Sequence, residues 1–157
     1  MFENVKMPEG MSPEALEHLM YPKNYGKIED ADGVGVALDE KTGEYVIFYT
    51  KLEDELVKDV KFATNGCQDT VVIGSMFTEM IKGNDTDYAQ KAVEKIHEKL
   101  GKLSAQQQVC ADIVFTAFIA SLKNKANKDK GADEELHVLK MKESCEIPEE
   151  KEQNNEQ

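Results

Sequence analysis

The feature that most restricts the fold is a change of hydrophobic period partway along the chain. Between residues 33 and 64, apolar and polar residues alternate in short β-branched and aromatic runs. From residue 67 onward, apolar residues recur at intervals of three and four. Alternation puts one face of an extended strand on a core, whereas the longer spacing lines one side of a helix. A sheet followed by helices is therefore expected, with both sharing one core.

Three strands are predicted, over 33–38, 44–52 and 56–64. The second, rich in Tyr, Val, Ile and Phe, carries the strongest strand composition. Asp39-Glu40-Lys41-Thr42-Gly43 between the first two is a polar turn with a glycine, as an antiparallel hairpin needs. In the third strand Val60 and Phe62 share a face. Ahead of the strands, Ser12-Pro13-Glu14-Ala15 reads as a helix start, with serine as N-cap and proline at the first helical position. Leu16, Leu19 and Met20 form its apolar stripe, and Tyr21-Pro22 stops it.

After the strands, Val72, Ile73, Met76, Phe77, Met80 and Ile81 define a helix over 67–81, ended by Gly83-Asn84. A charged amphipathic helix capped by Asp85 or Thr86 runs to Leu100 and belongs on the surface. A third helix, 105–123, carries Ile113, Val114, Phe115, Ala117, Phe118 and Leu122 and should be largely buried. The fold class is α+β: a small three-stranded antiparallel sheet with helices packed on one face. Residues 1–11 are expected to be a flexible lead-in, 12–127 the folded domain, and 128–157 an acidic, partly disordered tail. Within that tail only 136–141 reads as extended.

Acidic residues outnumber basic ones by 31 to 19, a formal charge of −12. That field repels phosphate backbones, and no basic stripe with interleaved aromatics offsets it, so no nucleic-acid partner is expected. No apolar run is long enough to span a bilayer, and no secretory signal is legible at the N-terminus, so the expected setting is the cytoplasm. No Ser-His-Asp order, phosphate-binding loop or dinucleotide fingerprint supports an enzyme.

The three cysteines, at 67, 110 and 145, are odd in number and widely spaced. With no export signal, they do not read as a disulfide framework, and no C-x-x-C pair makes a local metal or redox motif. Asn65-Gly66-Cys67 closes a strand and opens a helix. A cysteine there sits among unpaired N–H groups at the positive helix end, which lowers a thiol pKa and favours the thiolate. The alternative is a small buried residue at a helix start. Cys110 lies early in the apolar helix, where core packing is its plainest role, and Cys145 sits in the acidic tail. His18 and His97 fall on charged helix faces and are expected to be solvated, and His137 falls in the extended stretch.

Four segments in register resemble the IscU/NifU N-terminal family of iron–sulfur cluster assembly scaffolds. Tyr21-Pro22-Lys23-Asn24-Tyr25-Gly26 is similar to its P-x-N-x-G signature. Gly43-Glu44 stands at its C-G-D site, Asp59 to Cys67 is similar to its strand ending in G-C, and Cys110 falls at its third cysteine. The resemblance covers roughly residues 12–124. It implies a non-catalytic protein that binds iron and sulfur through cysteine thiolates and carries a [2Fe–2S] cluster, iron or zinc. It also implies a cysteine desulfurase as sulfur donor, apo iron–sulfur proteins as recipients, and Cys67, Cys110 and Glu44 as ligands. Soft sulfur ligands suit such centres.

Four departures stand beside it. The family's first cysteine falls at Thr42, and the histidine before its third cysteine at Val109. Its L-P-P-V-K stretch is replaced by Leu103-Ser104-Ala105-Gln106-Gln107, and the small residues after G-C by Gln68-Asp69-Thr70. A third ligand could come from Asp69 or Cys145, or two chains could share a cluster as a homodimer. A degenerate paralogue that carries persulfide sulfur, or docks on a desulfurase as a regulator without building a cluster, is the alternative function.

Overall fold

The structure, a computed structural model, describes residues 13–101 and 104–141. Ser12 and the rest of the lead-in, Leu103, Cys145 and the tail beyond Met141 lie outside the described residues. The elements in chain order are α1 (Pro13–Met20), β1 (Gly33–Leu38), β2 (Tyr45–Glu53), β3 (Leu56–Thr64), α2 (Gln68–Ile81), α3 (Tyr88–Leu100), α4 (Ala105–Asp129) and β4 (His137–Lys140).

β1, β2 and β3 form the expected antiparallel meander, with Val36 opposite Ile47 and Phe48 opposite Phe62. Their alternation buries Ala37, Val46, Phe48, Val60 and Phe62 on one face, and a register shift between Lys51 and Leu52 brings Val57 to the same side. α2 and α4 cover that face. The rings of Phe48, Phe62, Phe77 and Phe118 meet there, with Phe77 and Phe118 edge to face at 5.3 Å between centroids.

The expectation of three strands is corrected. The sheet has four strands in the order β3-β2-β1-β4, and β4 runs parallel to β1, so the sheet is mixed. The cause lies in α4, which continues past Lys123 to Asp129 through a Lys/Asn-rich stretch. Lysine is a good helix former, and Asn124 is fully buried in useful contacts. Its Oδ1 accepts from the Val34 N–H at 2.9 Å, and its Nδ2 donates to the Glu134 backbone and carboxylate. Gly131, at φ 99°, ends the helix: its N–H donates to the Lys128 carbonyl and the Ala132 N–H to that of Asn127. This double bond around a left-handed glycine is the Schellman arrangement. The chain is thereby returned to the free edge of β1. The boundary drawn after 127 falls inside α4, and 136–141 contains β4.

Helix and sheet approach closely because β1 is built from small residues. A Cβ at Gly33 would strike the Ser121 carbonyl, and one at Gly35 the backbone of Ala120 and Ser121. Ser121 also shares a 2.8 Å hydrogen bond with Thr50 between fully buried hydroxyls.

The Pro22-to-Gly26 loop fastens the other side of the sheet to α2. Asn24, at φ 59°, donates through Nδ2 to Thr78 and Glu79, and its carbonyl accepts from the Phe62 N–H. Gly26 N–H donates to the Phe62 carbonyl, and the Tyr25 hydroxyl to that of Thr64. The outer strand β3 is thus covered at this point rather than left open.

Candidate functional site

The site lies where the β1–β2 turn, the β3–α2 junction and the first turns of α4 come together. Asn65 organises two of these: its Oδ1 accepts from the Tyr45 N–H at 2.8 Å, and its Nδ2 donates to the Gly43 carbonyl. The hairpin tip is therefore tied to the end of β3. Gly66 follows, and Cys67 takes the N-cap position of α2 with extended backbone (φ −78°, ψ 178°). Its carbonyl accepts from the Thr70 and Val71 N–H groups, while its side chain makes no cap bond. The backbone closes the helix end and leaves the thiol to point elsewhere.

Cys110 reaches the same place from α4. The first turn of that helix is fixed by a capping box, in which Ser104 Oγ accepts from the Gln107 N–H and Gln107 Oε1 from the Ser104 N–H. Gln107 Nε2 also contacts Asp69 Oδ1 at 3.4 Å, joining the starts of α4 and α2. Cys110 is fully buried and Cys67 exposed, with their sulfur atoms 4.0 Å apart and no disulfide between them.

Glu44 faces the pair across a single hydroxyl. Thr70 Oγ1 donates to Glu44 Oε2 at 2.8 Å and lies 3.8 Å from Cys67 Sγ. The Glu44 carboxylate occupies the space that a Cβ at Gly66 would take. Close approach, rather than backbone freedom, is what demands glycine at 66.

Helix-end placement alone predicts a lowered pKa for Cys67. The structure reverses that direction. The contact with Cys110 is the largest influence and burial the next, and both raise the pKa far above the ordinary thiol value. The Thr70 N–H and hydroxyl act the other way and are outweighed. A second thiol in contact prevents both sulfurs from carrying charge freely.

The remaining residues singled out from the sequence are dispersed. Thr42 sits exposed at the hairpin tip, where its Oγ1 accepts from the Glu44 N–H at 3.2 Å. The buried Asp39 carboxylate accepts from the Lys41 and Thr42 N–H groups and shapes that turn. Asp69 contacts Gln107 as described. His18 departs from expectation: it is half-buried in the α1–α2 seam, with Nδ1 2.6 Å from the hydroxyl of the fully buried Ser75. Burial lowers its pKa from 6.5, against the pull of Glu14, Glu17 and Glu79. His137 contacts Glu134, whose pKa falls to about 2 under His137, Asn124 and Asn127. Among the described residues no group of three or more His, Cys, Asp or Glu is placed to hold a metal ion.

Asn65 and Thr70 stand within the motifs read from the sequence but carry no role there, although both shape the site. A threonine in the first turn after a cysteine N-cap looks like any capping residue. Only the fold brings Glu44 to it from residues 26 positions away. The capping box at Ser104 is also missing from the sequence reading, although Ser104 followed three residues later by Gln107 is the spacing that signals one.

The NifU-like N terminal domain family matches residues 11–131. The chain is 34% identical over 137 residues to the iron–sulfur cluster assembly scaffold protein IscU 1 of Archaeoglobus fulgidus, covering 82% of this chain and 90% of that one. It is 32% identical over 146 residues to the scaffold protein IscU of Aquifex aeolicus, covering 91% of each. Among solved structures, the N-terminal NifU-like protein of Brucella abortus superposes with a TM-score of 0.59 at 15% identity, covering 74% of this chain and 94% of that one. That likeness concerns the fold.

Proposed function

The chain belongs to the NifU-like N-terminal domain family, and from that premise we propose that it is an iron–sulfur cluster assembly scaffold or carrier working through Cys67 and Cys110. Iron and sulfur are its cargo, and the protein binds and hands on rather than catalysing. The observation that carries this reading is the meeting of the two sulfurs, 4.0 Å apart, where one is exposed to incoming partners. Residues 43 positions apart in sequence are brought together here with one thiol open to solvent and the other at the edge of the core beneath it. Thiolates at this spacing suit soft iron or zinc, and Glu44 stands next to them as an oxygen donor once Thr70 releases it. The working setting is the cytoplasm. The partners are a cysteine desulfurase as sulfur source and apo iron–sulfur proteins as recipients, with a homodimer pooling two thiol pairs as one way to complete a cluster.

Anaerobic reconstitution with ferrous iron, sulfide and a small thiol tests this. Visible charge-transfer absorption is expected, and it should vanish in Cys67→Ser and in Cys110→Ser. A protein that stays colourless and binds no iron would overturn the scaffold reading. Thr42→Cys extends the experiment by placing a third thiol at the hairpin tip beside Glu44. It should raise the iron and sulfide retained per chain after desalting.

A second reading has its own support. Among the described residues two thiols converge, and the Glu44 carboxylate is engaged by Thr70. A sulfur carrier, or a desulfurase-docking regulator that builds no cluster, needs no more than this. Such a protein would accept sulfur on Cys67 from a desulfurase while retaining no iron.

A further inference from the structure

Two features of the thiol pair remain unused by ligation alone: the asymmetry of its exposure and its direct sulfur–sulfur contact. Cys67 is exposed at a helix N-cap, whereas Cys110 is wholly buried beneath it, with the two sulfurs 4.0 Å apart. A donor can therefore reach Cys67 and not Cys110. Among the described residues, the sulfur that Cys110 meets is that of Cys67. A disulfide requires about 2 Å between sulfurs, so closure needs a shift of roughly 2 Å. Rotation of Cys67 can supply this, because its side chain is not tied into the helix cap.

Resting on the reading of this chain as a sulfur acceptor, we infer that Cys110 is a resolving thiol, which converts a persulfide on Cys67 into a Cys67–Cys110 disulfide and free sulfide. The substrate class is a low-molecular-weight or protein persulfide. Its terminal sulfur first passes to Cys67, giving Cys67–Sγ–SH and the donor thiol. Cys110 Sγ then attacks Cys67 Sγ, and the new Sγ–Sγ bond forms as the bond to the terminal sulfur breaks. The terminal sulfur leaves with the electron pair of that bond, takes up the proton of Cys110, and departs as hydrogen sulfide. One sulfane sulfur is reduced and one dithiol oxidised, so no outside oxidant is required.

Attack falls on the inner sulfur for a geometric reason. The terminal sulfur lengthens an exposed side chain towards solvent, while Cys110 approaches from the core side. Attack on a disulfide-like bond proceeds in line with the leaving sulfur, and this arrangement places the leaving sulfur on the open side. The consequence is a branch at the site. A chain that already holds iron on its thiols keeps the arriving sulfur for cluster growth. An iron-free chain releases it as sulfide and closes both ligands into a disulfide.

The test uses the full chain carrying Cys145→Ser, so that Cys67 and Cys110 are its only thiols. The reduced, iron-free protein is mixed anaerobically with a small alkyl persulfide. The inference expects the intact mass to fall by two hydrogens, sulfide to appear stoichiometrically with the chain, and a digest to contain the Cys67 and Cys110 peptides linked. With Cys110→Ser, or with Cys110→Ala should serine disturb the buried position, a single sulfur adduct should persist on Cys67 and sulfide release should be lost. Ferrous iron added first should suppress disulfide formation. A stable sulfur adduct on Cys67 of the two-thiol chain, with no more sulfide than the Cys110 variants give, would overturn the resolving role and leave the scaffold reading intact. Failure of every variant to take up sulfur, together with colourless reconstitution, would remove both.

Discussion

Single side chains at the site act mostly by restraining one another. Thr70 lends its hydroxyl to Glu44, Gly66 leaves room for the carboxylate, and Asn65 pins the hairpin tip that carries Glu44. Cys67, Cys110 and Glu44 could be named from the sequence because a resemblance placed them in register. The direction of the Cys67 pKa could not, since the dominant influence is a thiol 43 residues away. His18 gives the same lesson at the α1–α2 seam, where Ser75 Oγ accepts from the Lys23 N–H and is left to donate its own proton to Nδ1. That bond suits a neutral imidazole. With the folded pKa below the unfolded 6.5, the unfolded chain takes up the proton first. His18 therefore leaves stability undiminished above about pH 6.5, and stability falls as pH drops through the folded pKa. Urea midpoints should decline over that window more steeply for the native chain than for His18→Gln. Parallel declines would show that His18 is not the titrating group.

At the scale of elements, β1 and β3 could be read with their observed limits, because alternation, turn residues and strand composition agree there. α4 and β4 were harder. A run of lysine and asparagine looks like the approach to a tail until one sees Asn124 spanning from β1 to Glu134. Residues 136–141 could be read as extended, but a strand of four residues carries too little pattern to reveal its parallel pairing with β1. The β2–β3 turn is another place where local sequence and structure pull apart. Asp54 and Glu55 both adopt left-handed backbone, at φ 55° and 68°, as a tight hairpin turn requires, but neither is glycine. Relief of the left-handed strain exceeds the added chain entropy of glycine, so Glu55→Gly should stabilise the fold by about 0.5–1 kcal/mol. Equilibrium denaturation can resolve that difference, and an unchanged or lower midpoint would mean the strain is absorbed elsewhere.

For the molecule as a whole, one face of the sheet and four helices make a single core, and its closest approach is the crossing of α4 over β1. The α+β class was legible from the change of period alone, whereas this close crossing was not, since glycines in a short strand look like weakness rather than contact. Gly35→Ala tests the crossing. The added methyl would meet helix backbone, which cannot turn aside as a side chain can. It should destabilise the protein by about 3 kcal/mol. A loss below about 1 kcal/mol would show that α4 can slide.

β4 also sets an order in time. The meander and its hairpins lie wholly within residues 33–64, so a chain emerging from the ribosome can pair them early. The edge of β1 that β4 covers must wait until more than seventy further residues have been made, α4 last among them. During that interval β1 presents unpaired backbone and bare glycines to whatever strand is nearby. Synthesis, rather than the finished fold, is the stage at which this protein is most exposed to pairing with the wrong chain.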